Sequence, residues 1–448
     1  MTLMEEIVDL VTQFTQQIEQ MAEQNPAQEA RLAFKEEAAV EFGRAVARVA
    51  LRRQIEAGGT GYEGSRRLGA CGHEQVFVRL APRSLRTLVG EVRYRRAYYY
   101  CRRCGESCCP KDELLGQSGR QLSPGVERCV ALLGAHLSFA TSSHLLEEIA
   151  RVSLTDRQCE TVSEGIGAEA DRREQAEVEA TRHTPLPAPI GPRPLRQPRT
   201  FILEMDGVMA GLRGGAWEEV KVGVLFELGQ SVEISSGRFE LLSRQRCEYH
   251  GSVESFRERV WALLHRVGVR AEDRIVVVGD GAEWIEGIVE WLFVGATQIL
   301  DFYHVSERVW AVAGLRFGAG STQAIAFAHE KLVALKAGDV ASVIASFKRL
   351  KLEAEEADAA RNDVVAYFDT RREQMAYGQF KSEGLPIGSG AVEGSCKYLV
   401  SARCKQAGMR WSSDGLDDVL ALRCWVLNGR LGELCPKPHV PIEFKAAA

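Results

Sequence analysis

The chain has 448 residues, of which 45% are hydrophobic and 26% charged, and its formal net charge is −5. This length exceeds one ordinary domain, and the acidic balance excludes a uniformly basic nucleic-acid binder. No segment approaches the ~18 uninterrupted apolar residues of a membrane helix. The acidic, amphipathic N-terminal segment lacks the basic region and cleavage site of a signal peptide, so we expect a cytoplasmic protein without a membrane partner.

Two amphipathic helices are predicted in residues 1–60, because apolar residues recur there at helical spacing. The next segment, residues 61–118, changes to short stretches of strand type that are rich in cysteine and arginine. Between Arg79 and Arg103 it carries eight arginines and a single acid, Glu91. Such a local basic stripe can bind phosphates on a protein that is acidic overall.

Four side chains in this segment have the spacing of a structural zinc site. Cys71 and His73 form a C-x-H pair, and Cys101 and Cys104 form a C-x-x-C pair further along the chain. Zn²⁺ binds such ligands in tetrahedral geometry, whereas disulfides are rare in the cytosol. Residues 61–118 are therefore predicted to form a zinc-ribbon-like module that binds DNA. The alternative is a set of buried thiols without a metal.

Helices are predicted again in residues 119–182, beginning with Ser123 as a helix cap. Residues 143–167 hold two helical patterns separated by a few polar residues. This spacing fits a DNA-binding helix-turn-helix, and an ordinary helical hairpin is the alternative. Residues 183–200 hold six of the 14 prolines, which predicts a stiff, extended linker at a domain boundary.

Strand and helix signals alternate in residues 201–314, in the order β-β-β-α-β-α-β-α. This order predicts an α/β domain with a mixed sheet whose first three strands are antiparallel, the third lying within residues 237–249. Residues 315–384 are largely helical and charged, which indicates an all-α insertion. Residues 385–448 are predicted to hold one more helix and an irregular tail.

Three carboxylates occupy positions in these elements where catalysis could use them. Asp206 lies inside the first strand, Asp280 ends the fourth strand between two glycines, and Glu393 lies early in the late helix. Strands one and four are neighbours in this order, so the two aspartates should face each other. Three such oxygen ligands suit two Mg²⁺ ions that cleave a phosphodiester. For Asp280 alone, a helix N-cap is the alternative.

Five motifs resemble those of the ISKra-type insertion-sequence transposases, which are akin to the Mutator-like transposases: MDGVMAG, GDGAEWI, QILDFYHVSE, GSGAVEGSCK and KQAGMRW. The resemblance runs from about residue 60 to 430. It implies an RNase H-like catalytic domain with an all-α insertion and an Asp-Asp-Glu triad, here Asp206, Asp280 and Glu393. The implied chemistry is DNA cleavage and strand transfer with two Mg²⁺ or Mn²⁺ ions in each active site.

The motif in DFYH adds two residues. Asp301 and His304 match the aspartate-x-x-histidine signature shared with the Mutator-like enzymes, which implies that they contact DNA or support the site. A satisfied core histidine is the alternative for His304. After the late helix, Arg403, Lys405 and Arg410 supply cations that could grip the backbone of a bound strand. A solvated helix face is the alternative for each of these three.

The resembled family usually has a cysteine pair in the first knuckle of the zinc module. His73 departs from that pattern, so Cys108 or Cys109 is an alternative fourth zinc ligand. The function expected is that of a bacterial insertion-sequence transposase, which binds double-stranded DNA at the element's ends and in the target and works as a homo-oligomer. The alternatives are a structure-specific nuclease on the same fold and a non-catalytic DNA-binding relic of a transposase.

Overall fold

The computed structural model describes residues 2–25, 27, 30–188, 197–235, 238–293, 295–352 and 354–441. The chain divides into two compact units: the first comprises Met1–Val162 with Cys435–Ala448, and the second comprises Ser163–Leu434. Residues 189–196 of the predicted proline-rich linker lie outside the described residues. Among the described residues, no helix combines the length and apolar character needed to span a membrane.

The first unit begins with the two predicted helices, α1 (Leu3–Gln24) and α2 (Leu32–Ala57). They pack against each other, and the rings of Phe14 and Phe42 stack with their centroids 4.6 Å apart. The cysteine-rich segment then folds into an antiparallel four-stranded sheet, which confirms strands in this region. In chain and spatial order its strands are β1 (Arg66–Leu68), β2 (Glu74–Thr87), β3 (Gly90–Tyr100) and β4 (Ser107–Cys108).

Helices follow this sheet: α3 (Pro110–Leu114), α4 (Pro124–His136), α5 (Phe139–Ala150) and α6 (Asp156–Thr181), the last of which continues into the second unit. Ser123 caps α4 as predicted, since its Oγ accepts a hydrogen bond of 3.4 Å from the Val126 N–H. The turn between α5 and α6 contains Arg151 in the left-handed conformation, with φ of 52°. A helix–turn–helix path is therefore present, and both interpretations of residues 143–167 stay open.

The second unit is built on a five-stranded mixed sheet in the order β11-β10-β5-β6-β9. Its strands are β5 (Thr200–Gly211), β6 (Trp217–Glu227), β9 (Gln245–His250), β10 (Arg274–Gly279) and β11 (Thr297–Leu300). β5, β6 and β9 are antiparallel, whereas β10 and β11 run parallel to β5. The mixed α/β prediction is thus confirmed, including the pairing of the first and fourth predicted strands.

The third strand predicted for residues 237–249 is divided in two. β8 (Arg238–Leu241) pairs with β7 (Ser231–Ser235) in a separate two-stranded ribbon, and only β9 joins the main sheet. Leu242, which is 70% exposed, begins the short segment between them. The prediction of one continuous strand was wrong because strand-type residues continue across the point where the chain leaves one sheet for the other.

One face of the main sheet carries the hydrophobic core of this unit. Phe201, Leu203 and Met205 of β5 pack there against residues of α7 (Val253–Val267) and α8 (Glu283–Leu292). Because side chains alternate along a strand, Glu204 and Asp206 point to the opposite face. The sequence of β5 therefore separates an apolar core face from an acidic face.

The acidic face is covered by a helical segment late in the chain. α14 (Gly390–Ser395), a π-helical stretch (Cys396–Ser401) and α15 (Ala402–Cys404) follow one another and contact β5 and β6. The predicted all-α insertion is also present before it, as five helices that contain the predicted 315–384 region: α9 (Phe302–Phe317), α10 (Thr322–Lys336), α11 (Val340–Arg349), α12 (Glu355–Thr370) and α13 (Tyr377–Ser382).

The irregular tail predicted near the C-terminus is wrong for residues 413–434. α16 (Ser413–Leu427) and α17 (Leu431–Leu434) occupy this region, and α16 includes the fully buried Trp425. Buried residues lie on most sides of α16, so its sequence lacks the one-sided apolar period that marks a surface helix. The helix was missed for that reason.

Candidate functional site

Asp206 and Asp280 lie at the same level of two paired strands. Glu204 is opposite Val278 in the parallel pair β5–β10, and continuing this register by two residues brings Asp206 beside Asp280. Burial raises the pKa of Asp206, the 2.7 Å hydrogen bond from the Gly207 N–H lowers it, and the negative charge of Asp280 raises it again. A cation beside this pair would relieve the repulsion between the two carboxylates.

Asp280 is not the N-cap of the following helix. α8 begins at Glu283 with Ala282 as its N-cap residue, and no side chain caps it. Asp280 Oδ1 instead accepts a 2.9 Å hydrogen bond from the Ala282 N–H. The chain turns at Gly281, whose φ of 80° is in the left-handed region, so the helix starts too late for Asp280 to cap it. The N-cap alternative is therefore wrong.

Two side chains from the helical insertion fix this turn. Tyr367 Oη donates a 2.5 Å hydrogen bond to the Asp280 carbonyl, and Arg371 Nη2 donates a 3.1 Å bond to the Gly281 carbonyl. A Cβ atom on Gly281 would lie 2.6 Å from the Tyr367 hydroxyl, so the approach is possible only for glycine. The Arg308 guanidinium lies 3.8 Å from the centroid of the Tyr367 ring. The insertion thus holds Asp280 through its main chain.

We expect Tyr367→Phe to loosen the turn that carries Asp280. The variant loses one hydrogen bond, worth about 1 kcal/mol, so amide exchange of residues 280–282 should accelerate by roughly fivefold. Hydrogen–deuterium exchange read by mass spectrometry measures this change. Tyr303→Phe, at a tyrosine that is 65% exposed, is the control and should leave the exchange unaltered. Equal exchange in both variants would remove the role given to Tyr367.

Glu393 lies half-buried in α14, with Lys397 Nζ 3.6 Å from its Oε2. The start of α14 is held by Glu204, whose Oε2 accepts a 2.8 Å hydrogen bond from the Val392 N–H. Glu204 is 2% exposed, and this burial, opposed by hydrogen bonds from Val392 and Ala391, raises its pKa to about 8. Sequence reasoning missed Glu204, although an acid inside the apolar run FILEM was a visible signal.

Glu204 makes the stability of the fold depend on pH. Its carboxyl is protonated in the folded chain up to about pH 8 and ionises near 4.5 when unfolded, so stability falls as pH rises between these values. Glu204→Gln mimics the protonated form and can still accept from Val392. Without added divalent ions, we expect the melting temperature of this variant to fall less steeply from pH 5 to 8. Glu290→Gln, at an exposed carboxylate, should keep the wild-type slope.

Asp301 joins two segments that are far apart in the chain. Its Oδ1 accepts a 2.5 Å hydrogen bond from the Tyr303 N–H and so caps α9. Its Oδ2 accepts from the Ser389 N–H at 2.8 Å and from the Ser389 hydroxyl, at the residue that precedes α14. The side chain is fully buried, so it is not accessible from solvent.

His304 lies one turn into α9, and its side chain is 38% exposed, which contradicts the core-histidine alternative. Its Nδ1 is 3.6 Å from Glu307 Oε2. Burial has the largest effect on the pKa of Asp206 and raises it. The charge of His304 and a hydrogen bond from the Cys396 thiol both act to lower this pKa. His304 and Cys396 therefore border the aspartate pair.

The three cations predicted after the late helix differ in their surroundings. Arg403 is fully buried, and its guanidinium lies 5.0 Å from the centroid of Trp411; burial lowers its pKa to about 10. Lys405 and Arg410 are exposed. Only the latter two are accessible from solvent, and the position of Arg403 indicates a structural role.

The first unit contains a separate group of metal-ligating side chains. Cys71 and His73 lie between β1 and β2, Cys101 and Cys104 lie between β3 and β4, and one ligand atom from each lies within 4.8 Å of the others. Pairing of β2 with β3 brings the two loops together. The Cys104 N–H, with smaller contributions from neighbouring groups, lowers the pKa of Cys101 to about 7, which favours the thiolate that binds metals. The group could hold a tetrahedral metal ion.

His73 belongs to this group, whereas Cys108 and Cys109 do not. The Cys108 thiol donates a 3.0 Å hydrogen bond to Gln75 Oε1, and burial raises the pKa of both cysteines. Within the described part of the chain, the buried Nδ1 of His73 has no hydrogen-bond partner, as expected of an imidazole nitrogen reserved for a metal. The geometry therefore favours His73 as the fourth ligand.

The three acids of the second unit are more widely spaced than this group. Among the described residues, only the Cys/His group brings three or more such ligand atoms within 4.8 Å of one another. The basic stripe of the first unit is partly accessible. Arg83 and Arg96 pair with the buried Asp112, while the other six arginines between Arg79 and Arg103 are exposed.

These features define a mixed α/β protein with a Cys/His group suited to a metal and, in its second unit, Asp206 and Asp280 at matching positions of two neighbouring central strands. Residues 71–434 match the family described as Uncharacterised protein family (UPF0236). The chain belongs to that family.

Similar proteins occur in Caldanaerobacter subterraneus subsp. tengcongensis. One UPF0236 protein, whose name joins eleven locus designations, is 24% identical over 365 residues, covering 79% of this chain and 69% of the relative. Another UPF0236 protein of this organism is 24% identical over 370 residues, covering 79% of this chain and 70% of the relative. These names state no activity.

Proposed function

We propose that this chain is a DNA transposase whose second unit is an RNase H-like catalytic domain. The observation that carries the proposal is the register of the paired strands β5 and β10, which brings Asp206 opposite Asp280. Glu393 follows on a helical segment that Glu204 ties to β5. Three antiparallel strands followed by two parallel ones, with a helical insertion before the glutamate, support the fold assignment.

Asp206, Asp280 and Glu393 would hold divalent ions, which suit hard carboxylate oxygens. Such ions would activate the attacking water or 3′-hydroxyl and stabilise the leaving oxygen of the phosphodiester. Glu393 lies 3.6 Å from Nζ of Lys397, whose side chain is largely exposed. Tyr367 and Arg371 keep the Asp280 turn in place.

In the first unit, we propose that zinc joins Cys71, His73, Cys101 and Cys104 and so fixes the β1–β2 loop to the β3–β4 loop. The exposed arginines of the stripe would bind phosphates of double-stranded DNA at the ends of the element. Binding should therefore weaken steeply as salt is raised. A homo-oligomer that holds two ends together completes the proposal.

The name of one relative adds indirect support. Eleven loci of one organism share that name, and repetition across a genome is what a DNA element that copies or moves itself leaves behind. This support is independent of the geometry of the acids.

The test is a strand-transfer assay with the full chain, Mg²⁺ or Mn²⁺, and DNA that carries the ends of its own element. We expect end cleavage and joining of the freed 3′ ends to target DNA. Cleavage without joining would make the protein a nuclease on the same fold. Binding with neither reaction would make it a DNA-binding relic.

A further inference from the structure

Trp217 is a half-exposed aromatic side chain flanked by two cations. It begins β6, is 49% exposed and pairs with Gly211 across the β5–β6 ribbon. Lys405 Nζ lies 5.8 Å and Arg410 Cζ 5.3 Å from the centroid of its ring. Both cations are exposed, and among the described residues neither forms an ion pair with a carboxylate.

Two other arginines of this unit that lie over aromatic rings form ion pairs with acids. Arg430 lies over Trp425 and pairs with Glu177, and Arg371 lies over Tyr367 and pairs with Glu286 at 2.9 Å. These arrangements are complete within the fold. The cations at Trp217 instead leave positive charge beside an accessible ring.

The backbone beneath this cluster is shaped for the close approach of Arg410. Gly211 has no side chain, and a Cβ atom there would lie 3.3 Å from Arg410 Cδ and Nη1. The arginine stem therefore lies against the ribbon, and its head reaches the Trp217 ring. An exposed aromatic ring beside two cations that form no ion pair suits a negatively charged polymer whose planar groups can stack on the ring.

We propose that Trp217, Lys405 and Arg410 form a binding site for single-stranded DNA, in which one base stacks on Trp217. The two cations bind the adjoining phosphates. Stacking on an aromatic side chain contributes about 1–3 kcal/mol per base and tolerates any sequence. A duplex does not offer such a face, because each base is already covered by its neighbours.

The site lies apart from the proposed reaction centre. Gly211 is five residues beyond Asp206 on β5, a distance of roughly 17 Å along an extended strand. Strand alternation also puts Gly211 and Trp217 on the ribbon face opposite to Asp206. This proposal rests on the proposed function, in which DNA is the substrate. In it, the site binds an unpaired DNA strand that flanks the reacting position.

The experiment measures binding of the full chain to a labelled oligonucleotide, single-stranded or annealed to its complement, by fluorescence anisotropy without added Mg²⁺. We expect Trp217→Ala to weaken single-strand binding by roughly 5- to 150-fold and duplex binding by less than about twofold. Trp217→Phe should retain most of the affinity. The combined Lys405→Ala and Arg410→Ala variant should lower the salt dependence of single-strand binding.

Trp291→Ala is the matched control, since Trp291 is 60% exposed and lies 4.0 Å from the Arg257 guanidinium. Equal single-strand affinities of the Trp217→Ala and Trp291→Ala variants would overturn the proposal. A photo-crosslinking oligonucleotide containing 5-bromouracil locates the contact directly. We expect crosslinks to the peptide that contains Trp217, and crosslinks confined to other peptides would also overturn it.

The outcome is separable from the test of transposition. If the wild type catalyses strand transfer but Trp217→Ala shows no selective loss of single-strand binding, the binding site is refuted and the transposase proposal stands. If Trp217→Ala selectively loses single-strand binding but the wild type catalyses no strand transfer, the binding site stands and the protein binds DNA without being a transposase.

Discussion

Asp206→Asn and Asp280→Asn should each reduce strand transfer on the order of 10³-fold or more, which corresponds to about 4 kcal/mol of transition-state stabilisation. Asp206 lies in β5 and Asp280 directly follows the neighbouring strand β10, and each amide removes one charged oxygen ligand from the proposed ion site. Cleavage and joining products on labelled end DNA measure the loss. Binding of the same DNA should be unchanged.

Glu290→Gln is the control for the loss of one carboxylate elsewhere in the second unit. It should cut and join DNA at the wild-type rate. Full activity of either aspartate variant would refute the proposed catalytic role of that residue. Equal melting temperatures of the variants and the wild type show that the loss is chemical and not a loss of fold.

The metal preference of an Asp280→Cys variant tests ion contact more directly. Mg²⁺ requires hard oxygen ligands, whereas Mn²⁺ accepts a thiolate more readily. We expect no activity with Mg²⁺ and partial activity with Mn²⁺. The Asp280→Asn variant, treated identically, should show no such recovery, and equal behaviour of the two would remove Asp280 from the ion site.

Cys101→Ser and Cys104→Ser should each abolish binding of one zinc ion per chain and unfold the loops of the four-stranded sheet. Metal binding to such sites contributes about 10–16 kcal/mol of apparent free energy in small zinc domains, so the loss of a ligand has a large effect. Elemental analysis after gel filtration measures the zinc content. Limited proteolysis within residues 61–118 reports the unfolding.

Cys108→Ser is the matched control, because its thiol bonds to Gln75 and lies outside the metal-ligating group. It should retain the full zinc content. His73→Cys should also retain zinc, since it restores the cysteine pair expected of the resembled family, whereas His73→Ala should not. If Cys108→Ser loses zinc while His73→Ala keeps it, the fourth ligand is Cys108 and not His73.

Much of the second unit follows from local patterns. The apolar runs of β5 and β10 predicted buried strands, and the order of elements predicted that these strands are neighbours in the sheet. The C-x-H and C-x-x-C pairs likewise anticipated that Cys71, His73, Cys101 and Cys104 would meet. Each of these predictions depends on spacing along the chain, which the sequence states directly.

Contacts between distant segments could not be obtained in this way. Glu204 holds Val392, which is 188 residues away, and Asp301 holds Ser389, which is 88 residues away. No short spacing encodes such pairs. The same holds for Tyr367, an ordinary helix residue in the sequence that becomes a clamp on Asp280 only through the fold.

The Asp301–Ser389 contact has a consequence for how this chain can vary. With the 2.8 Å hydrogen bond from the Phe302 N–H to the Ile387 carbonyl, it closes the base of the whole segment 302–388. The entropy of closing a loop grows only slowly, by about 0.6 kcal/mol for each doubling of its length. Relatives could therefore gain or lose whole helices between these two points without displacing Glu393, provided that the tyrosine contact to the Asp280 turn is kept.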